Sequence, residues 1–115
     1  MPGLSLHVVD VARGAPATGM RVEVFRLTQG SARIAEGRLS EAGTLDHAIV
    51  GETMTPGLYE VIFHAGAFFA GSNLGVSIPP FLDQVPFRFN IVDPSKHCHL
   101  PLKITPWGFS LYRGA

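Results

Sequence analysis

The stretch MRVEVFRLTQGSARIAEGRL, residues 20–39, decides the fold class of this chain. At its start apolar and charged side chains alternate, with Val22 and Val24 set against Arg21 and Glu23. Alternation with a period of two predicts a β-strand that is buried on one side. A Gln-Gly pair then predicts a tight turn, and the segment after it resumes as a second strand. The stretch is therefore typical of a β-hairpin.

The same pattern recurs along the rest of the chain. Alternating or short apolar runs bounded by turn residues predict further strands over residues 4–11, 58–64, 85–92, 97–105 and 109–113. We expect a short helix only within FFAGSNLGV, residues 68–76, where Gly71 and Gly75 limit its length. About eight short strands with frequent turns are typical of an antiparallel sandwich or barrel. We predict one all-β domain over residues 1–115.

Composition argues against several classes of partner. The 115 residues carry nine Lys and Arg against nine Asp and Glu, so the formal net charge is zero. This balance gives no basic footprint for nucleic acid, and no apolar run approaches the roughly 20 residues of a membrane span. Cys98 is the one cysteine, so no internal disulfide and no oxidising compartment are implied. Without a recognisable signal peptide, we expect a cytoplasmic protein.

Histidines are the first chemical signal. His97 and His99 stand two apart in a predicted strand, so their side chains share a face, and His7 shares a face with Ser5 and Val9 in the first strand. Three histidines are a ligand set for a catalytic zinc that keeps one position open for water. The alternative is acid–base catalysis without metal, in which a neutral imidazole takes a proton from water. We favour the second, because no acidic residue stands at obvious spacing to support a zinc ligand.

Other reactive residues receive weaker assignments. Cys98 points away from both neighbouring histidines in a regular strand, which predicts a buried, inert thiol. His47 and His64 each stand alone beside a turn, and we assign them no role. Tyr112 and Arg113 continue a strand pattern almost to the last residue, where chains normally fray. An aromatic residue and an arginine held there indicate an interface or a site.

Five motifs together resemble the 5-hydroxyisourate hydrolases, the transthyretin-related proteins of urate degradation. The resemblance runs from the first strand to the last residue, with the motifs in matching order and at matching spacing. The motifs are LHVVD (6–10), ARGAPA (12–17), TPGLYE (55–60), HCHLPL (97–102) and YRGA (112–115).

This resemblance implies a transthyretin-like, or prealbumin-like, sandwich of two four-stranded sheets with one short helix. It implies a homotetramer, a dimer of dimers with active sites in a channel at the dimer–dimer interface. The small-molecule substrate would be 5-hydroxyisourate, opened at its N1–C6 bond to give 2-oxo-4-hydroxy-4-carboxy-5-ureidoimidazoline. The family reaction uses no metal and no organic cofactor.

The resemblance also assigns site residues. The first-strand histidine falls on His7, and the second histidine of the family's His-Tyr-His motif falls on His99. The terminal motif places Tyr112 in the site, where it positions the ring or donates to a carbonyl oxygen. The predicted catalytic residues are therefore His7, His99 and Tyr112. The predicted substrate-binding residues are Thr44, His97, Lys103, Ser110 and Arg113.

The chain departs from the family at several site positions. Thr44 stands where the family has an arginine, Cys98 replaces the motif's tyrosine, and Ala115 replaces the terminal serine. Losing one oxyanion donor typically costs roughly 100- to 1,000-fold in rate. Lys103, on the predicted His99 face where relatives carry leucine, is one candidate to restore the charge. Arg38, just before the altered stretch, is a second candidate with less geometric support.

Other readings of Lys103 and of the site remain open. The stem of Lys103 could instead pack on the channel wall while its ammonium reaches solvent. A site without the arginine would also suit an N-methylated or otherwise modified hydroxyisourate from methylxanthine breakdown. The alternative outside catalysis is a carrier of small aromatic ligands.

Overall fold

Two β-sheets packed on one shared core make up most of the protein. The computed structural model describes residues 3–45, 49–50 and 54–114. Its elements are β1 (Gly3–Asp10), β2 (Ala15–Pro16), β3 (Arg21–Arg26), β4 (Ala32–Arg38), β5 (Ile49–Val50), β6 (Gly57–Phe63), α1 (Ala65–Ala70), β7 (Val85–Ile91), β8 (Cys98–Thr105) and β9 (Gly108–Leu111). No helix among the described residues is long and apolar enough to cross a membrane.

The sheet topology confirms the predicted sandwich and corrects one detail of its pairing. One sheet has the order β2-β1-β8-β9 and the other β4-β3-β6-β7, and the short strand β5 adds to the first by pairing with β1. The strand pattern was typical of an antiparallel sandwich or barrel, but β1 and β8 run parallel. Alternation carries no information on strand direction, so this pairing could not be read from the pattern.

The core lies between the two sheets and is built from the alternating residues. Val22 and Val24 of β3 are fully buried, while the charged residues between and before them are half-buried on the outer face. Tyr59 is also fully buried, and its hydroxyl donates a hydrogen bond to the Thr55 carbonyl oxygen at 2.7 Å. Each buried valine contributes about 1.5–3 kcal/mol to folding. The alternation predicted from the sequence is therefore the pattern that fills the core.

The predicted hairpin turn at the end of β3 is confirmed. Gln29 and Gly30 both have positive φ, 60° and 100°. Positive φ is typical of tight turns and is most easily adopted by glycine. The pairing of β3 with β4 then follows, with one bulge between Val24 and Phe25.

The helix is shorter than the predicted segment and begins earlier. It spans Ala65–Ala70, whereas the sequence placed it within 68–76. Gly66, a residue with poor helix propensity, is required inside this helix because a Cβ would lie 2.8 Å from the Leu82 carbonyl oxygen. Its amide also donates to the Asp83 carbonyl oxygen at 2.7 Å. Close packing against a distant loop, invisible to local propensity, thus overrides the cost of glycine in a helix.

Candidate active site on the outer face of β1 and β8

The outer face of the β1–β8 pair carries the polar residues that the sequence singled out. In both strands buried side chains alternate with partly or fully exposed ones, so every second residue points away from the core. The outward positions are Ser5, His7 and Val9 in β1 and His99, Pro101 and Lys103 in β8. The predicted shared face of the histidines and Lys103 therefore results from the strand geometry.

The strand register arranges these residues in three rows across the sheet. The first row is Ser5, His99 and Gly114; the second is Thr44, His7 and Pro101; the third is Val9, Lys103 and Ser110. Neighbouring strands are about 4.8 Å apart, and alternate residues along one strand are about 6.6 Å apart. The Cα atom of His7 is therefore about 8 Å from those of both His99 and Lys103, on opposite diagonals.

Ser5 joins two of the histidines directly. Its Oγ lies 2.7 Å from Nδ1 of His99 and 2.7 Å from Nε2 of His97. His97 precedes β8 by one residue, yet its side chain reaches the same hydroxyl as that of His99. The sequence placed Ser5 on the His7 face but gave it no role. Its proximity to His99 depends on the parallel register of β1 and β8, which local alternation does not reveal.

Thr44 is held beside His7 by a tight turn on the side of β1 opposite β8. The two residues form an antiparallel bridge, and the Val8 amide donates to the Gly43 carbonyl oxygen at 2.9 Å. Gly43 has φ of 78°, and a Cβ there would lie 2.6 Å from the Val8 carbonyl oxygen. The Thr44 hydroxyl lies 2.9 Å from that of Ser40. The arginine position of the resemblance thus lies next to His7, but here it holds a short side chain engaged with its own turn.

The chain end runs along β8 and brings Tyr112 to the same face. Two pairings bracket this segment, Leu102 with Leu111 and His99 with Gly114. The register between them places Tyr112 opposite Pro101, in the row of His7, and its side chain is 48% exposed. The Gly114 amide donates to the His99 carbonyl oxygen at 2.7 Å. A Cβ on Gly114 would lie 3.1 Å from Cδ2 of His99, so glycine allows the chain end to pack against that ring.

Arg113 lies away from this face. The register places it opposite Leu100, a buried residue, and it lines a cavity of about 270 Å³ together with Cys98 and Phe87. The structure therefore brings seven of the eight predicted site residues to the outer face of the sheet and leaves Arg113 at the opposite side. His47 and Ala115 lie outside the described residues.

Cys98 is placed as predicted, on the core side of β8. Burial raises the pKa of its thiol, although the nearby positive charge of Arg113 opposes this rise. A thiol that stays protonated is a poor nucleophile. Among residues 3–45, 49–50 and 54–114, no group of three or more His, Cys, Asp or Glu side chains is placed to hold a metal ion. The arrangement suits imidazole acid–base chemistry on a small ring.

His64, which received no role from the sequence, has a structural partner in the other sheet. Its Nε2 lies 2.7 Å from Oε1 of Glu23, and Arg33 also reaches that carboxylate at 3.1 Å. Hydrogen bonding to His64, together with Arg33 and the charge of Arg21, lowers the pKa of Glu23. This ion-pair cluster lies on β3 and its neighbours, in the sheet that does not contain β1 and β8.

Comparison with known proteins assigns the family. The sequence profile of the HIUase/Transthyretin family matches residues 4–114. This chain belongs to that family. Among curated HIUase/Transthyretin relatives, the 5-hydroxyisourate hydrolase of Deinococcus radiodurans is 42% identical over 117 residues, covering 99% of this chain and 97% of that protein.

Solved structures give the same assignment. The Klebsiella pneumoniae 5-hydroxyisourate hydrolase superposes with a TM-score of 0.82 at 28% identity, and each chain is covered completely. An (S)-allantoin synthase gives a TM-score of 0.90 at 37% identity over 98% of this chain. This chain spans only 43% of the length of that synthase. The HIUase/Transthyretin fold is thus found both as a separate chain and as part of a longer one.

Proposed function

We propose that this protein is a 5-hydroxyisourate hydrolase, which opens the N1–C6 bond of 5-hydroxyisourate in urate degradation. The observation that carries the proposal is the placement of His7, His99 and Tyr112 on one outer face, in a chain that is 42% identical to a named 5-hydroxyisourate hydrolase. The relationship favours this function over turnover of a methylated analogue and over transport of aromatic ligands.

The hydrolysis requires a base, a bound ring and a stabilised oxyanion. One of the two histidines removes a proton from water as it attacks the C6 carbonyl carbon, and the electrons of the broken C6–N1 bond pass to N1, which is protonated. The other histidine and Tyr112 hold the ring and donate to its oxygens. No metal or organic cofactor enters this scheme, because imidazole supplies both proton transfer and hydrogen bonding near neutral pH.

We propose that Lys103 supplies the cation that the position of Thr44 lacks. Its Cα atom lies on the diagonal from His7, on the same face, and its side chain is exposed. Within the described ranges no carboxylate lies within ion-pair distance of its ammonium, whereas Arg38 at the other end of the turn donates to the Gly19 carbonyl oxygen at 3.1 Å. Ser110, opposite Lys103, adds a hydroxyl for the ring substituents.

We further propose a homotetramer with this face at the dimer–dimer interface. Support comes from the openness of the site in a single chain, since Lys103, Ser110 and Tyr112 are all exposed. Covering the face with a second pair of subunits would enclose the substrate and strengthen each polar contact, because the local dielectric falls. A cytoplasmic location fits the single buried cysteine.

The decisive experiment follows the ultraviolet decay of 5-hydroxyisourate generated in situ from urate by urate oxidase. Acceleration by the wild-type protein that His99→Ala abolishes supports the proposal. The matched control is His64→Gln, which changes a histidine between β6 and α1 and keeps a donor for Glu23. Acceleration only with an N-methylated substrate would transfer the function to that analogue. Binding of an aromatic ligand without turnover of either substrate would support a carrier instead.

A further inference from the structure

The hydroxyl of Ser5 is the only link between two histidines on the described part of the outer face. Its Oγ lies 2.7 Å from Nδ1 of His99 and equally far from Nε2 of His97. Ser5 is directly opposite His99 in the parallel register, so the paired backbones of β1 and β8 hold these two side chains next to each other. Both distances are those of well-formed hydrogen bonds.

The number of protons available allows two arrangements of the hydrogen bonds between Ser5 and the two histidines. A serine hydroxyl has one proton to donate and lone pairs to accept, and a neutral imidazole carries one N–H. When Ser5 donates to His97, it accepts from Nδ1–H of His99, and Nε2 of His99 carries a free lone pair. When Ser5 instead donates to Nδ1 of His99, the proton of that ring sits on Nε2 and the ring cannot accept another proton there.

We propose that Ser5 and His97 are positioning residues that hold His99 as its Nδ1–H tautomer and so make His99 the general base. This inference rests on the proposed hydrolysis and extends it by deciding between His7 and His99. Nε2 of His99 takes the proton of the attacking water. The resulting imidazolium keeps its Nδ1–H bond to Ser5, now strengthened by charge, and the serine proton remains on the bond to His97. Formation of the charged ring therefore requires no rearrangement of the link.

His7 then has the complementary task. It lies about 8 Å from His99, on the neighbouring strand, and is placed to contact the opposite edge of a ring held between them. Because the link to Ser5 involves His99 and not His7, the two histidines are chemically distinct. The sequence resemblance, by contrast, left both as candidates for the base.

Kinetics test the positioning role through a matched pair of variants. Ser5→Ala removes the hydroxyl and is expected to lower kcat by about 10- to 100-fold with little change in KM, as expected for the orienting partner of a reactive histidine. Ser5→Thr keeps the hydroxyl on a residue that suits a strand and should retain kcat within about threefold. His97→Phe removes the nitrogen that accepts the Ser5 proton and should also lower kcat. Equal falls in kcat for Ser5→Ala and Ser5→Thr would overturn the proposal. So would a rise in KM for Ser5→Ala with no change in kcat.

Nitrogen NMR of the histidine rings gives a readout that needs no substrate. The signals of His99 are assigned by comparison with His99→Gln. In the wild-type protein the neutral ring of His99 should carry its proton on Nδ1. Ser5→Ala should shift this ring toward the Nε2–H form. Unchanged thermal unfolding of Ser5→Ala would exclude a folding defect as the cause of either result. An Nε2–H ring in the wild-type protein would refute the inference even if the protein hydrolyses 5-hydroxyisourate. An Nδ1–H ring in a protein without that activity would refute the proposed function and leave the tautomer assignment intact.

Discussion

Replacing Lys103 by methionine tests whether this residue supplies the positive charge of the site. Methionine keeps an unbranched apolar stem of similar length, so the substitution removes the ammonium and little else. Lys103 is exposed on the outer face of β8, and its loss should not disturb the core. We expect kcat/KM for 5-hydroxyisourate to fall.

The size of the loss follows from distance and dielectric. With the Cα atom of Lys103 about 8 Å from that of His7, a flexible side chain brings the ammonium to roughly 6 Å from charge developing near the imidazole. At that distance one unit charge contributes about 0.7 kcal/mol in bulk water, or about threefold in rate. At an effective dielectric constant near 20 it contributes about 2.8 kcal/mol, or about 100-fold. We expect the larger value, because the proposed tetramer covers this face.

The assay is the decay of freshly generated 5-hydroxyisourate, with Lys96→Met as the matched control on a lysine outside the face. Restoring the family's arginine by Thr44→Arg should change the wild-type rate by less than about threefold, yet should recover most of the loss in Lys103→Met. Such a non-additive cycle shows that the two positions serve one role. A loss below about threefold in Lys103→Met, or additive effects of the two substitutions, would refute the assignment of Lys103.

Three further predictions concern the rest of the chain. Gly43→Ala should destabilise the protein by about 1–3 kcal/mol more than Gly14→Ala in urea unfolding, because both have positive φ but only Gly43 would place a Cβ against a strand carbonyl oxygen; equal costs would contradict this. The pKa of Glu23 is lowered first by its hydrogen bond to His64, so the ionised carboxylate stabilises the fold above the ordinary carboxyl pKa. This stabilisation is lost as the pH falls through the folded pKa. The Tm deficit of Glu23→Gln should therefore be present at pH 7 and shrink below about pH 4. A deficit that persists in acid would refute the linkage. Because burial raises the pKa of Cys98, native protein at pH 8 should react with iodoacetamide much more slowly than protein unfolded in urea, and equal rates would show an accessible thiolate.

Local alternation was sufficient to locate strands and their buried faces. The segment that became β3 and β4 has Val22 and Val24 in the core and a turn at Gln29–Gly30, as predicted. The helix shows where this reasoning fails. Gly66 counts against a helix by propensity, yet the approach of the Leu82 carbonyl oxygen leaves no room for any larger residue. Contacts between segments distant in sequence decided that element, and a local pattern does not contain them.

The sequence predicted which residues form the candidate site, but not the hydrogen bonds between them. Parity places His97 and His99 on one face, and the resemblance adds His7 and Tyr112, all of which the structure brings to the outer surface of one sheet. Ser5 was overlooked because its opposition to His99 exists only once β1 and β8 pair in parallel and in one register. A shift of one residue would turn its hydroxyl into the core.

The outer face of β1 and β8 has room for polar side chains that the inner face lacks. Inward side chains must fill the space between two sheets, which explains why Cys98 and the leucines around His99 are buried while the histidines are not. A flat outer face, however, leaves polar groups in water, where each contributes little to a transition state. The sandwich by itself is therefore compatible with binding or with catalysis. Whether it hydrolyses depends on the few side chains in the rows of His7 and His99 and on what covers them.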